Sequence, residues 1–93
     1  MVIKVNEYME GKVKSLGAEF KGERFTAGIM LSGQYRFNTE QEEHITVTLG
    51  ELNVCLPSEN WKKVSRGQTV IVPPGVSFEL RIDEPVSYIC LYK

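Results

Sequence analysis

The chain reads as a single all-β domain, and three observations support this. The strand-favouring residues Val, Ile, Thr, Tyr, Phe and Trp supply 30 of its 93 residues. Glycine and proline recur at short intervals, from Gly11, Gly17, Gly22, Gly28 and Gly33 to Gly50, Pro57, Gly67, Pro73-Pro74-Gly75 and Pro85. Such spacing punctuates the short strands of a sandwich or barrel. The longest stretch free of both, Gln34–Leu49, is the best place for a helix. Its apolar residues Ile45, Val47 and Leu49 nevertheless alternate with a period of two, which is the strand period. Little or no helix is expected.

The segments are placed from Arg24 onward. Arg24–Leu31 reads as a strand stopped by the Ser32-Gly33 turn, and Gln34–Asn38 follows with Tyr35 and Phe37 on one face. His44–Leu49 and Glu51–Leu56 read as a hairpin around Gly50. Trp61–Val64 and Gln68–Val72 flank Ser65-Arg66-Gly67, and Lys62-Lys63 mark the former as an edge strand protected against pairing with other chains. Val76–Ile82 and Val86–Tyr92 close the chain on either side of Asp83-Glu84-Pro85.

A chain of 93 residues is one domain, 1–93. At this length it buries about two-thirds of the surface exposed by the unfolded chain, so oligomerisation would help it. Eleven Lys and Arg oppose twelve Asp and Glu for a formal net charge of -1, which argues against a nucleic-acid binder relying on phosphate neutralisation. No apolar run is long enough to span a membrane. Residues Met1–Glu7 carry no secretory pattern, and Cys55 and Cys90 are too few for a disulfide scaffold. A cytoplasmic setting with free thiols is expected.

Two spacings resemble the motifs of the cupin superfamily, small antiparallel barrels of jelly-roll type. Glu43 is followed after six residues by Gly50, like the glutamate-to-glycine half of the first cupin motif. Gly67 is followed after five residues by Pro73-Pro74-Gly75 and, two residues later, by Phe78, like the opening of the second motif with Phe in place of its final His. Metal-dependent cupins carry a His-x-His pair before the glutamate, but here those positions hold Phe37 and Thr39. Two aromatics and a hydroxyl cannot replace three imidazoles on a divalent metal. The single histidine, His44, adjoins Glu43 and so faces the other side of a strand. No metal is expected.

Further residues narrow the resemblance. The opening Asn6-Glu7-Tyr8-Met9-Glu10-Gly11-Lys12-Val13-Lys14-Ser15-Leu16-Gly17 resembles that of one small cupin family. So do Arg24-x-Thr26-x-Gly28-x-Met30, Gly33-Gln34-Tyr35-Arg36-Phe37, Gly50-Glu51-Leu52-Asn53-Val54 and the ending Ser87-Tyr88-Ile89-Cys90-Leu91-Tyr92. This is the bacterial pyrimidine/purine nucleoside phosphorylase family of cupin fold, formerly a domain of unknown function. The resemblance extends over roughly residues 6 to 93. It implies phosphorolysis of purine and pyrimidine nucleosides to free base and ribose 1-phosphate, with no metal or other cofactor. The implied partners are nucleoside and inorganic phosphate.

The site residues are read from position and chemistry. Displacement at the anomeric carbon passes through an oxocarbenium-like state, so the site needs an anion cradle, hydrogen bonds to ribose and a platform for the base. Arg24 is the phosphate candidate, because a guanidinium holds phosphate oxygens with paired bonds; the alternative is an exposed arginine at a loop edge. Glu43 is the carboxylate candidate for ribose, with Glu42 the alternative if the register slips by one. Tyr35, Phe37 and Thr39 share parity and would present two rings and a hydroxyl inward. Phe78 would join them, although plain core packing accounts equally well for Phe37 and Phe78. Tyr88 shares a face with Cys90 and Tyr92, and that face is assigned to the cavity. The competing reading is a non-catalytic cupin binding a sugar or small anion. Surplus apolar strand surface points to a homodimer.

Overall fold

The computed structural model describes residues 2–93. Ten strands follow in chain order: β1 Lys4–Tyr8, β2 Val13–Phe20, β3 Glu23–Met30, β4 Gly33–Asn38, β5 Glu43–Leu49, β6 Glu51–Cys55, β7 Lys62–Ser65, β8 Thr69–Val72, β9 Ser77–Ile82 and β10 Val86–Tyr92. Among the described residues the one helical segment is a 3-10 turn at Met9–Gly11. The strands form two antiparallel sheets, one in the order β1-β2-β3-β10-β5-β8 and one in the order β4-β9-β6-β7. This is the all-β jelly-roll architecture expected from the sequence.

Alternation explains the core. In β9, Phe78, Leu80 and Ile82 are buried while Ser77 and Arg81 are exposed. In β8, Val70 and Val72 are buried while Thr69 and Ile71 are exposed. Every second side chain therefore points between the sheets. Val13, Ile45 and Val47 of the larger sheet meet Leu52, Val54 and Leu80 of the smaller one. Burial of each such side chain stabilises the fold by about 1.5–3 kcal/mol. β7 is an edge of the smaller sheet, and its Lys62 and Lys63 are exposed.

The expected hairpin around Gly50 does not form. β5 pairs with β10 and β8, whereas β6 pairs with β7 and β9 in the other sheet. A period-two pattern shows which face of a strand is buried, but not which strand is its neighbour. Gly50 instead carries the chain from one sheet to the other. Its φ is +85°, and a Cβ added there would lie 2.9 Å from the Pro85 carbonyl oxygen. Pro85 belongs to a later crossover, from β9 to β10, so the two corners pack against each other.

Two strands precede Arg24 and extend the larger sheet. β2 buries only Val13 and Ser15 before reaching Gly17 and Ala18, a row of small side chains without the β-branched run that marks a strand. Among the described residues β1 pairs only with β2.

Gly50→Ala combines a left-handed backbone with a backbone clash and should destabilise the fold by about 1–3 kcal/mol. Gly67→Ala, with φ +84° and open space around it, should cost less. Urea unfolding of both variants measures the difference, and equal losses would contradict the proposed corner contact.

Candidate functional site

The site is built on the inner face of the larger sheet. β10 lies between β3 and β5, and its alternation turns Tyr88, Cys90 and Tyr92 toward the opposite sheet. Glu43 begins β5 directly opposite Tyr92, in register. From the smaller sheet come Phe37 of β4 and Phe78 of β9, themselves paired in register with ring centroids 6.2 Å apart. Together these side chains line an interior cavity of about 170 Å³.

Glu43 is the one carboxylate among the described residues lining this cavity. Burial pushes its pKa above the usual carboxylate value, since an apolar surrounding disfavours the charged form. The Cys90 thiol, donating to Glu43 Oε1 at 3.6 Å, and the positive charge of Arg24 oppose that shift. Cys90 is pushed up to about 12 by burial and by the neighbouring Glu43 charge. It is therefore a protonated donor at neutral pH and not a nucleophile. Burial likewise raises Tyr88 to about 12 and raises Tyr92, so both keep their phenolic protons.

A second cavity, of about 270 Å³, adjoins the first and shares Tyr8 and Tyr92 with it. Arg24 of β3 and Lys4 of β1 line it, with Asn6, Glu19 and Thr26. The Arg24 guanidinium lies over the Tyr92 ring, 4.8 Å from its centroid. The Tyr92 hydroxyl is 3.3 Å from Thr26 Oγ1. Tyr92, held by Arg24 on one ring face and by Thr26 at its hydroxyl, stands with Tyr8 between a cavity holding the Glu43 carboxylate and one holding Arg24, Lys4 and Glu19.

The structure brings together Glu43, Phe37, Phe78 and Tyr88 in the first cavity and places Arg24 at the second. It does not bring Tyr35 or Thr39 to either. Tyr35 is buried in the core and its hydroxyl donates to the Leu31 carbonyl at 2.7 Å, which satisfies the polar atom without a ligand. Thr39 Oγ1 donates to the Pro73 carbonyl at 2.7 Å and accepts from the Val76 amide at 3.0 Å. It ties the end of β4 to the Pro73-Pro74-Gly75 turn. Glu42 lies outside, 2.7 Å from His44 Nε2.

Gly28 gains a specific reason. It pairs with Tyr88 across β3 and β10, and a Cβ there would lie 2.7 Å from the Tyr88 hydroxyl. The room beside Arg24 and Thr26 is taken up by that ring. The sequence reading turned Tyr92 to the cavity with its strand face, as found, but gave no site role to Lys4, Asn6 or Tyr8. These three sit at alternate positions of β1, a signal that was present but lay in a segment without strand-like composition. Among the described residues no three His, Cys, Asp or Glu side chains gather to hold a metal ion.

Comparison with known proteins agrees with this architecture. The family model described as pyrimidine/purine nucleoside phosphorylase matches residues 3–92. A protein of that name from Aeromonas salmonicida is 43% identical over 90 residues, covering 96% of each chain. One from Pectobacterium carotovorum is 44% identical over 93 residues, covering 98% of this chain and 99% of its own. A crystal structure of a Vibrio parahaemolyticus protein of unknown function superimposes with a TM-score of 0.97 at 38% identity over the whole of both chains. A cupin-2 domain protein from Shewanella frigidimarina, at 17% identity and a TM-score of 0.67 over 80% of this chain and 72% of its own, shares the fold. The chain belongs to the pyrimidine/purine nucleoside phosphorylase family.

Proposed function

We propose that this family member cleaves purine and pyrimidine nucleosides by phosphorolysis, releasing the free base and forming ribose 1-phosphate. The supporting observation is the pair of cavities divided by Tyr92. One offers rings and the Glu43 carboxylate, the other the two cations Arg24 and Lys4 beside the single carboxylate Glu19. Neither cavity alone reaches the ~300–1,000 Å³ usual for a ligand site, but the two together do.

The chemistry maps onto that division. The base occupies the apolar cavity beside Phe37, Phe78 and Tyr88, where stacking accepts any base because every base has a π-face. Phosphate occupies the polar cavity, held by the Arg24 fork with two parallel bonds. Ribose lies at the junction, next to Glu43. As the bond to the base lengthens, positive charge develops on the sugar, and the Glu43 carboxylate stabilises it and accepts hydrogen bonds from the ribose hydroxyls. Phosphate oxygen forms the new bond at the anomeric carbon while the base departs with the bonding electrons. No oxidation state changes, and the reaction needs neither metal nor other cofactor.

The dimer is part of the same reading. On the outer face of the larger sheet, Val5, Leu16, Ala27 and Ile89 stand side by side in register across four strands. Val5, Leu16 and Ile89 are exposed, and Ile29 extends the patch. A second copy related by a two-fold axis would cover this face with the same face, as closed symmetric dimers do. Tyr88 lines both the interior cavity and the outer groove, so pairing would seal the back of the site. Both cysteines are free, in keeping with a cytoplasmic setting.

Steady-state kinetics with uridine and a purine nucleoside test this reading. Base release should require phosphate, and Arg24→Ala should raise the phosphate KM by about 10- to 100-fold while moving the nucleoside KM far less. Release that is independent of phosphate, or no release, would favour a binding protein. Glu43→Gln should lower kcat/KM by about 10²-fold or more. Because burial raises the Glu43 pKa and the ionised form is the active one, wild-type activity should fall with decreasing pH at a point above 4.5. That limb should be absent from Glu43→Gln, and a limb unchanged in the variant would remove Glu43 from the role. Sedimentation should show a dimer at micromolar concentration, converted to monomer by Ile89→Glu. A wild-type monomer would contradict the pairing.

A further inference from the structure

Strand β1 contributes an inward face of which the phosphorolysis scheme above uses only Lys4. Its register with β2 sets Tyr8 opposite the buried Val13 and Asn6 opposite the buried Ser15, so Lys4, Asn6 and Tyr8 all face the cavities. The Asn6 amide donates to Ser15 Oγ at 3.2 Å and fixes the strand to its neighbour. Tyr8 is the last residue of β1 and lines both cavities.

The turn that follows Tyr8 is unusual. Met9, Glu10 and Gly11 have φ values of 51°, 56° and 87°, so two non-glycine residues in succession adopt a left-handed backbone. L residues rarely do so, and such conformations persist where the surroundings require them. One hydrogen bond, from the Lys12 amide to the Met9 carbonyl at 3.1 Å, closes the turn.

The resulting ring placement differs from that of the core aromatics. Phe78 and Tyr35 are 3% and 5% exposed, whereas Tyr8 is 45% exposed. The Tyr8 ring nevertheless stands against Phe37, with centroids 5.8 Å apart and planes at 82°. The two rings form a right-angled corner at the cavity wall, closed on the Phe37 side and open to solvent on the Tyr8 side. A flat heteroaromatic ring seated there would stack on one ring and turn its edge to the face of the other. The open side leaves room for a bicyclic base as well as a monocyclic one.

We propose that Tyr8 is a substrate-contacting residue that holds the nucleobase in a corner with Phe37 and thereby allows both purine and pyrimidine rings. The proposal rests on the phosphorolysis reading for its substrate class. Tyr8 contacts the base through its ring, so its hydroxyl is dispensable.

The test compares Tyr8→Ala and Tyr8→Phe in two assays. In steady-state kinetics, Tyr8→Ala should raise the KM for uridine and for a purine nucleoside about 5- to 100-fold, the size expected for loss of a base–aromatic stack. The phosphate KM should stay within about twofold, and Tyr8→Phe should behave as wild type. In NMR titration with free uracil and hypoxanthine, wild type and Tyr8→Phe should bind and Tyr8→Ala should bind more weakly. An unchanged nucleoside KM in Tyr8→Ala, an equal rise in the phosphate KM, or no base binding by wild type would overturn the proposal. Tyr8-dependent base binding without phosphate-dependent turnover would leave Tyr8 in place and overturn the phosphorolysis reading alone.

Discussion

Keeping one carboxylate inside an otherwise apolar barrel is costly, because an ionised group loses its water and the interior must repay it with charge or hydrogen bonds. At Glu43 the repayment is partial. The Cys90 thiol is a weak donor, Arg24 acts from the adjoining cavity, and the carboxyl remains harder to ionise than an exposed one. A carboxylate so placed interacts more strongly with an arriving donor or cation than one already fully paired. In the proposed reaction, a ribose ring that gains positive charge only in the transition state would supply such a partner, and the interaction would grow where it lowers the barrier.

The surrounding fold holds that carboxylate in place. Glu43 and Tyr92 are opposite each other in the β5–β10 ladder, so backbone hydrogen bonds set the spacing between carboxylate and partition. Tyr92 is held by Arg24 on one face and reaches Thr26 with its hydroxyl. Arg24 and Thr26 lie on β3, the other neighbour of β10. Glu43, Tyr92, Arg24 and Thr26 thus rest on three adjacent strands of one sheet, and the opposite sheet contributes the Phe37 and Phe78 rings. Groups carried on paired strands are positioned more reproducibly than groups on loops.

The parts of this arrangement differ in how readable they are from the sequence. The missing cupin-ligand position turned Phe78 inward, and because a strand's parity is a local property Leu80 and Ile82 are buried with it. Parity also grouped Tyr35, Phe37 and Thr39, and all three do lie on the inward side. It could not show how far along the strand the cavity extends, so Tyr35 proved to be core near Leu31 and Thr39 a clamp on the Pro73 turn. The Gly50 hairpin failed for a related reason: strand pairing is a non-local choice, and this jelly roll sends β5 and β6 to different sheets. β1 and β2 were missed because most of their inward positions, Lys4, Asn6, Ser15 and Gly17, carry polar or small residues in place of β-branched ones. That polar face, which obscures the strands as strands, is also what makes them walls of a site. Family resemblance, and not composition or periodicity, supplied the reaction.

The most direct measurement of the account is the anomeric configuration of the sugar phosphate, read by ¹H and ³¹P NMR during turnover of a β-nucleoside. With base and phosphate on opposite sides of a ribose at the Tyr92 partition, attack comes from the face opposite the leaving base and inverts the centre. The account predicts α-ribose 1-phosphate as the first-formed product. β-Ribose 1-phosphate would require a covalent sugar intermediate or same-face attack, and would contradict the division of the two cavities between base and phosphate.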